Sequence, residues 1–266
     1  MPINISKKLH LEYSLKPFLA QFLGPVFSEN ISSDKKIEAL KFILTFLSQK
    51  LKLFDHCFHP NLTDIVKNSN ENEIDLESFR TYELNLKKTE SEIFFNFSSS
   101  IKNHVKKAER IGLTCITSSL PLELVRLSLR NKIITIKQAK IFEKMWNYIQ
   151  STKQGFILYV QNKDGLIYSG GAFVINNDKV SFVLSASNKE LKSSGGNSLL
   201  IWEAIKKCKA MAGIRTFDFE GSMLHNVETY FKHFRPDKIE YMHIKINRLS
   251  KLYNYVYAIK KIFRSI

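Results

Sequence analysis

Residues 188–222, NKELKSSGGNSLLIWEAIKKCKAMAGIRTFDFEGS, constrain the fold more than any other stretch of the chain. Gly195 and Gly196 precede a helical pattern in which Asn197 or Ser198 is placed to cap the first turn. Ile201, Ile205, Cys208 and Ala212 recur on one face, and Lys206, Lys207 and Lys209 lie away from it. Gly213 stands where helices commonly end in a left-handed residue. IRTFDF then alternates, sending Phe217 and Phe219 one way and Thr216, Asp218 and Glu220 the other. A glycine loop at a helix N-terminus can hold phosphate, because the first turn leaves N–H groups unpaired and the dipole favours an anion. The strand is expected to carry Asp218 and Glu220 out of the core. Phosphate cradle and carboxylates, one helix apart, suggest group transfer from a phosphate-bearing donor. The alternative is a structural crossover whose glycines serve only the turn.

The flanking sequence sets this unit in a mixed α/β architecture. GFILYVQ (155–161), LIYSGGAFVIN (166–176) and KVSFVLSAS (179–187) are three successive strands, joined by Asn162-Lys163-Asp164-Gly165 and Asn177-Asp178, which carry hairpin chemistry. After FDFEGS come a short helix through Tyr230, Phe231 and Phe234 and a last strand, KIEYMHIKI (238–246). Upstream, Ile101, Val105, Ala108 and Ile111 define one face of a helix over 101–111, with Asn103, Lys106, Lys107 and Arg110 opposite. Ser98 to Ser100 offer its caps and Gly112 ends it. That basic face suits an anionic acceptor or the acceptor arm of tRNA, or is simply solvated. In the first hundred residues a helix from Ser33 runs through Ile37, Leu40, Leu44, Leu47 and Leu51. FDHCFHP and RTYELNL are strands, and SLKPFLAQFLGPVF (14–27) is an irregular packed loop.

Taken in order, FNFSSSIKNHVKKAERIGL, LKSSGGNSLLIWEAI and FDFEGSM followed by VETYFKHF resemble the FemAB-like branch of the GNAT acyltransferase superfamily. The resemblance implies a mostly antiparallel twisted sheet flanked by helices, built as two GNAT-like units with the first reduced. It divides the chain into 1–97, a GNAT domain over 98–247 and a basic tail, 248–266. It further implies an acyltransferase of bacterial cell-envelope or polysaccharide biosynthesis, with acetyl-CoA or another acyl-CoA as donor and an amine as acceptor. In that setting Lys192, Ser193, Ser194, Gly195, Gly196, Asn197 and Ser198 hold the donor pyrophosphate. Backbone N–H groups near the splayed third and fourth strands polarise the acyl carbonyl. Asp218 and Glu220 act as base or acceptor-orienting groups and Tyr230 as general acid. His59, Asn103, Lys106, Lys107, Ser222 and His225 are the acceptor-side candidates. One departure stands out. The superfamily's phosphate pattern begins with Gln or Arg and ends with Gly or Ala, whereas here Lys192 and Asn197 occupy those ends. A lysine pairs with phosphate as a point charge, without arginine's fork. The departure opens a second donor, aminoacyl-tRNA, and a second class, a non-catalytic module binding anionic lipid or polymer.

Composition bounds the partners. The 266 residues are 44% hydrophobic, enough for one large or two smaller cores. A formal net charge of +15 favours phosphorylated donors, nucleic acid or anionic lipid without choosing among them. No recognised nucleic-acid motif accompanies it, so no DNA partner is expected. Three widely spaced cysteines and an N-terminus without a secretory pattern point to the cytoplasm. The tail 248–266 places Leu249, Leu252, Tyr253, Val256, Ile259 and Phe263 in a stripe among basic residues. It suits the inner face of an anionic membrane or docking on the protein body. His56, Cys57 and His59 are adjacent but alternate in direction on a strand, so no metal site is expected. Cys208 is a core residue.

Overall fold

Ser33–Lys50 forms the helix that its leucine spacing predicts, with Leu40, Leu44 and Leu47 buried along one side. In this computed structural model, which describes residues 1–8, 10–69, 74–221 and 223–250, that helix is the first of eight among the described residues. The chain runs β1 (Ser6–Lys8), β2 (Leu11–Leu15), α1 (Ser33–Lys50), β3 (Leu53–Cys57), α2 (Thr63–Asn68), β4 (Asp75–Asn85) and α3 (Glu90–Asn96). It continues through α4 (Ser99–Arg110), β5 (Thr114–Ser118), α5 (Leu122–Arg130), α6 (Ile136–Ser151), β6 (Gly155–Gln161), β7 (Ile167–Asn176) and β8 (Lys179–Ser187). A 3-10 turn, Lys189–Ser194, then leads to α7 (Gly196–Lys209), β9 (Thr216–Asp218), α8 (His225–Lys232) and β10 (Asp237–Asn247). Ser222 and the tail beyond Ser250 lie outside the described residues, so the expectations placed on them are not addressed by the fold.

Two compact units result, each with a core of its own. One comprises Met1–Arg80 and the described residues from Ile239, the other Thr81–Lys238. The boundary between these two units lies at Arg80, within β4. The last strand returns to the first unit because Met242, Ile244 and Ile246 pack with Leu40, Leu44, Leu47 and Phe54. The first unit pairs β1 with β2 antiparallel, β2 with β3 parallel and β3 with β10 antiparallel.

The second unit carries the elements expected around the glycine loop. β5, β6, β7 and β8 are antiparallel in order, β8 pairs parallel with β9, and β9 pairs antiparallel with β4. Strand bounds at 155–161 and 179–187 agree with the alternation in sequence. The hairpin turn at Asn177 takes φ of +54°, a left-handed conformation that asparagine tolerates. Phe173, Phe182, Phe217 and Phe219 interleave in the core with Leu199, Leu200, Ile201 and Ile205 of α7.

Two helices depart from their expected faces. α7 begins earlier than the polar residues suggested. Gly195 is its N-cap and Asn197 and Ser198 lie inside the first turn, while Ala212 lies past its end and is exposed. Leu199, Leu200, Trp202 and Ala204 are buried as well, so α7 is apolar on more than one side. On α4, Ile101, Val105 and Ala108 are buried, but Ile111 is 47% exposed because the helix stops at Arg110.

Candidate active site

The site begins where β8 and β9 part. β8 pairs with β7 as far as Ser187, but with β9 only over Lys179, Val180 and Ser181. Beyond Ser181 the β9 side of β8 has no strand partner among the described residues, and the two strands open as a wedge. Asn188 follows β8 and caps the 3-10 turn, its Oδ1 accepting from the Glu190 N–H at 3.2 Å. Gly195 then turns the chain into α7 with φ of +84°. The glycine is needed twice over. A β-carbon at Gly195 would lie 2.1 Å from the His104 carbonyl oxygen, so α4 packs directly on the loop backbone. A side chain at this position would therefore disturb α4.

An open cavity of about 220 Å³ lies on the loop. It is lined by His104, Tyr168, Ser187, Leu191, Lys192, Ser194, Gly195, Asn197, Ser198 and Tyr230. Five of the seven residues expected to hold a pyrophosphate are therefore together at one cavity. Ser193 is exposed on the same turn and Gly196 is buried in the first turn of α7, where its carbonyl accepts from Ser169 Oγ at 3.0 Å. Seryl hydroxyls, an amide and an ammonium around the start of a helix form a set suited to phosphate or a polar ester.

Tyr230 closes the cavity from α8. Its hydroxyl and Ser198 Oγ lie 3.0 Å apart, and either can donate to the other. Burial pushes the phenol up to about 12, against the pull of hydrogen bonds from Ser198 and Asn197. A phenol so placed stays protonated at neutral pH and offers a proton. The helix that carries it is anchored from below. Tyr82 OH donates to Glu228 Oε1 at 2.6 Å, Lys232 pairs with the same oxygen at 2.7 Å, and Phe231 and Phe234 pack on Phe219.

The carboxylates of β9 are placed otherwise. Asp218 does not leave the core: it is 1% exposed, and Thr81 Oγ1 and the Glu220 N–H donate to its Oδ1 at 2.7 and 2.8 Å. Lys179, which pairs with Glu83, lies 3.9 Å from its Oδ2. Burial is the main influence on this carboxyl and raises its pKa, with the two hydrogen bonds opposing. The hydrogen bond from the Glu220 N–H to Asp218 closes a turn in which Glu220 takes φ of +53°. Neither residue lines the cavity.

The remaining candidates are dispersed. Asn103 and Lys106 line a separate groove of about 480 Å³ with Lys102, Ser99 and Phe95, and Lys107 is exposed on the same helix. His225 is exposed at the first turn of α8. His59 belongs to the first unit, edge-on to Phe22 at 5.5 Å, with its Nδ1 accepting from the Asn61 N–H. Cys208 is buried and its thiol is pushed up to about 12, as a core residue should be. The cavity also includes residues that sequence reasoning passed over: His104, Tyr168, Ser187 and Leu191. One signal for His104 was present. It sits about 60° from the stripe of Ile101, Val105 and Ala108, at the border where an amphipathic helix meets its neighbours.

Sheet order, wedge, glycine loop and helix define a GNAT-like fold. Its solved neighbours agree. FemX superposes with a TM-score of 0.63 at 14% identity, covering 92% of this chain and 83% of FemX. L-PGS from Bacillus licheniformis gives 0.58 at 12% identity, over 97% of this chain and 84% of that one. The C-terminal domain of a putative lysylphosphatidylglycerol synthetase from Agrobacterium fabrum gives 0.57 at 12%, over 93% and 81%. These likenesses establish the fold. No protein-family model matches the sequence, and no curated protein matches it.

Proposed function

We propose that this chain is an acyltransferase that moves an acyl group from a phosphate-bearing donor to an amine at the cavity beside Gly195. The observation that carries the reading is the convergence of Lys192, Ser194, Asn197 and Ser198 with the protonated phenol of Tyr230 on one open cavity. A cleft filled by side chains would have favoured a binding module instead.

The preferred donor is an acyl-CoA, its pyrophosphate on the loop and its thioester toward the wedge. The acceptor amine attacks the carbonyl carbon, and backbone N–H groups along the unpaired edge of β8 stabilise the oxyanion. The C–S bond then breaks, and the sulfur takes the Tyr230 proton. The proton lost by the amine passes to His104 or to water, and solvent restores the phenol. An amino sugar or a cell-envelope precursor is proposed as the acceptor.

A second donor is supported by the neighbours. One of them bears the name of a lipid carrying a lysyl group, so an aminoacyl ester, delivered by aminoacyl-tRNA, is the alternative acyl source. The same chemistry serves both, with an alkoxide leaving in place of a thiolate. Calorimetric titration with acetyl-CoA at moderate salt, against desulfo-CoA and ATP, tests the first reading. Saturable binding that prefers the coenzyme supports it. Binding that ATP matches, or that salt abolishes, sinks it, and transfer from aminoacyl-tRNA is then assayed directly.

A further inference from the structure

α1 is apolar on two opposite faces. Leu40, Leu44 and Leu47 are buried, at 1% exposure or less. Phe42 and Phe46, on the far side of the helix, are 74% and 50% exposed. They are four residues apart and so adjacent on the surface, where they form one aromatic ridge. Such a pair contributes little to the core it points away from, and it costs solubility unless something covers it.

The surroundings of the ridge say what fits. Lys50 lies over the Phe46 ring at 5.7 Å, and Lys35 lies two turns before Phe42 on the same face. Lys41 is exposed on the flank, and Glu38 is the acid between Lys35 and Phe42. At the end of α1, Arg248 donates from its side chain to the Ser48 carbonyl at 2.8 Å and from its backbone to the Lys52 carbonyl at 2.8 Å. The chain leading to the sequence KLYNYVYAIKKIFRSI, which contains four further basic residues, is thereby held at the C-terminal end of α1. Aromatic rings flanked by long cationic side chains match the interface of a bilayer with negative headgroups. Rings enter the acyl boundary there, and ammonium groups stay at the phosphates.

We propose that the Phe42–Phe46 face of α1 is a membrane-docking surface for anionic bilayers, independent of the transfer chemistry proposed above. The test is co-sedimentation of the full chain with vesicles of phosphatidylcholine alone, or of equal parts phosphatidylcholine and phosphatidylglycerol. Wild type is expected to bind the anionic vesicles and not the neutral ones. Phe42→Ser/Phe46→Ser, whose sites are exposed, is expected to fold normally and to bind roughly tenfold or more weakly. A chain ending at Ser250 separates the contribution of the following segment and is expected to keep measurable binding. In Phe46→Trp, indole emission is expected to shift to the blue with anionic vesicles only, because Trp146 and Trp202 are already buried. Equal binding by wild type and the double serine variant overturns the proposal, as does indole emission of Phe46→Trp that ignores the vesicles. Self-association of wild type in free solution that the serine variant abolishes also overturns it, and makes this face a protein interface.

Discussion

Each unit sets a serine hydroxyl against a titratable ring, and the two pairs have opposite fates. In the first unit Ser14 Oγ lies 2.7 Å from His56 Nε2, with Ser14 fully buried and His56 1% exposed. In the second, Ser198 Oγ lies 3.0 Å from the Tyr230 hydroxyl, and both line a cavity. By residue type the serine–histidine pair is the more suggestive of nucleophilic chemistry. It is sealed, however, stacked on Phe54 at 4.4 Å, and its Nδ1 has no hydrogen-bond partner among the described residues. Similar local contacts therefore contribute to folding in one place and are available for chemistry in the other. Access to the cavity separates them.

The largest expected effect tests that separation directly. Tyr230→Phe keeps the ring that packs near Phe234 and removes only the hydroxyl. On the mechanism proposed above, in which Tyr230 is the general acid, turnover is expected to fall about a hundredfold or more, while stability to urea changes by roughly 1 kcal/mol or less. Full turnover in a folded Tyr230→Phe enzyme would remove the phenol from the mechanism and leave both pairs structural.

The sealed pair should answer in stability instead. Burial is the dominant influence on His56 and lowers it from 6.5 to about 4. A base whose folded pKa lies below its unfolded value supplies stability that is full above about pH 6.5 and is lost as pH falls through about 4. At 1.36 kcal/mol per unit, the loss amounts to about 3 kcal/mol. Urea unfolding of wild type across that window should show the slope, and His56→Leu should flatten most of it. Identical slopes in the two proteins would show that the imidazole is not held neutral in the fold.

Asp218 extends the contrast to a carboxylate. Asp218→Ala strips the acceptor from Thr81 and from the Glu220 N–H and is expected to cost about 2 kcal/mol. Asp218→Asn keeps an acceptor oxygen and sheds a charge that burial disfavours, so its cost should stay within about 1 kcal/mol. A catalytic carboxylate would show the reverse ranking in turnover, with Asn as damaging as Ala.

How much of this was readable beforehand depended on the range of the interaction involved. Hydrophobic period and turn chemistry are local, so β6 and β8, the left-handed Asn177, the α1 leucine stripe and the glycine loop all appear in the sequence. The burial of Asp218 is not local. Its partner Thr81 lies 137 residues away, and nothing near FDFEGS announces it. The same holds for His104, whose carbonyl meets Gly195 only once α4 packs on the loop. The split of β4 and the return of β10 to the first unit likewise follow from strand pairing, which period alone does not fix. Alternation gave the correct side of the strand for Asp218 and the wrong surroundings, because the polar side of β9 is covered and not solvated.

The smallest effects probe the two serines themselves. Ser198 is one of two groups whose hydrogen bonds pull the Tyr230 phenol down against burial. Ser198→Ala should therefore make the phenol a weaker acid without removing it. A net hydrogen bond of about 1 kcal/mol corresponds to a loss of about tenfold or less in turnover, well short of Tyr230→Phe. Ser14→Ala removes a contact of similar length and should leave turnover per folded molecule unchanged, because nothing in the cavity depends on it. It costs stability instead, about 1–2 kcal/mol, since His56 Nε2 is then buried without its partner. The pair of alanine variants is thus expected to split cleanly, one in turnover and one in stability. If Ser14→Ala slowed turnover at full folding, the first unit would have to act on the chemistry, and sealing would no longer be the difference between the two hydroxyls.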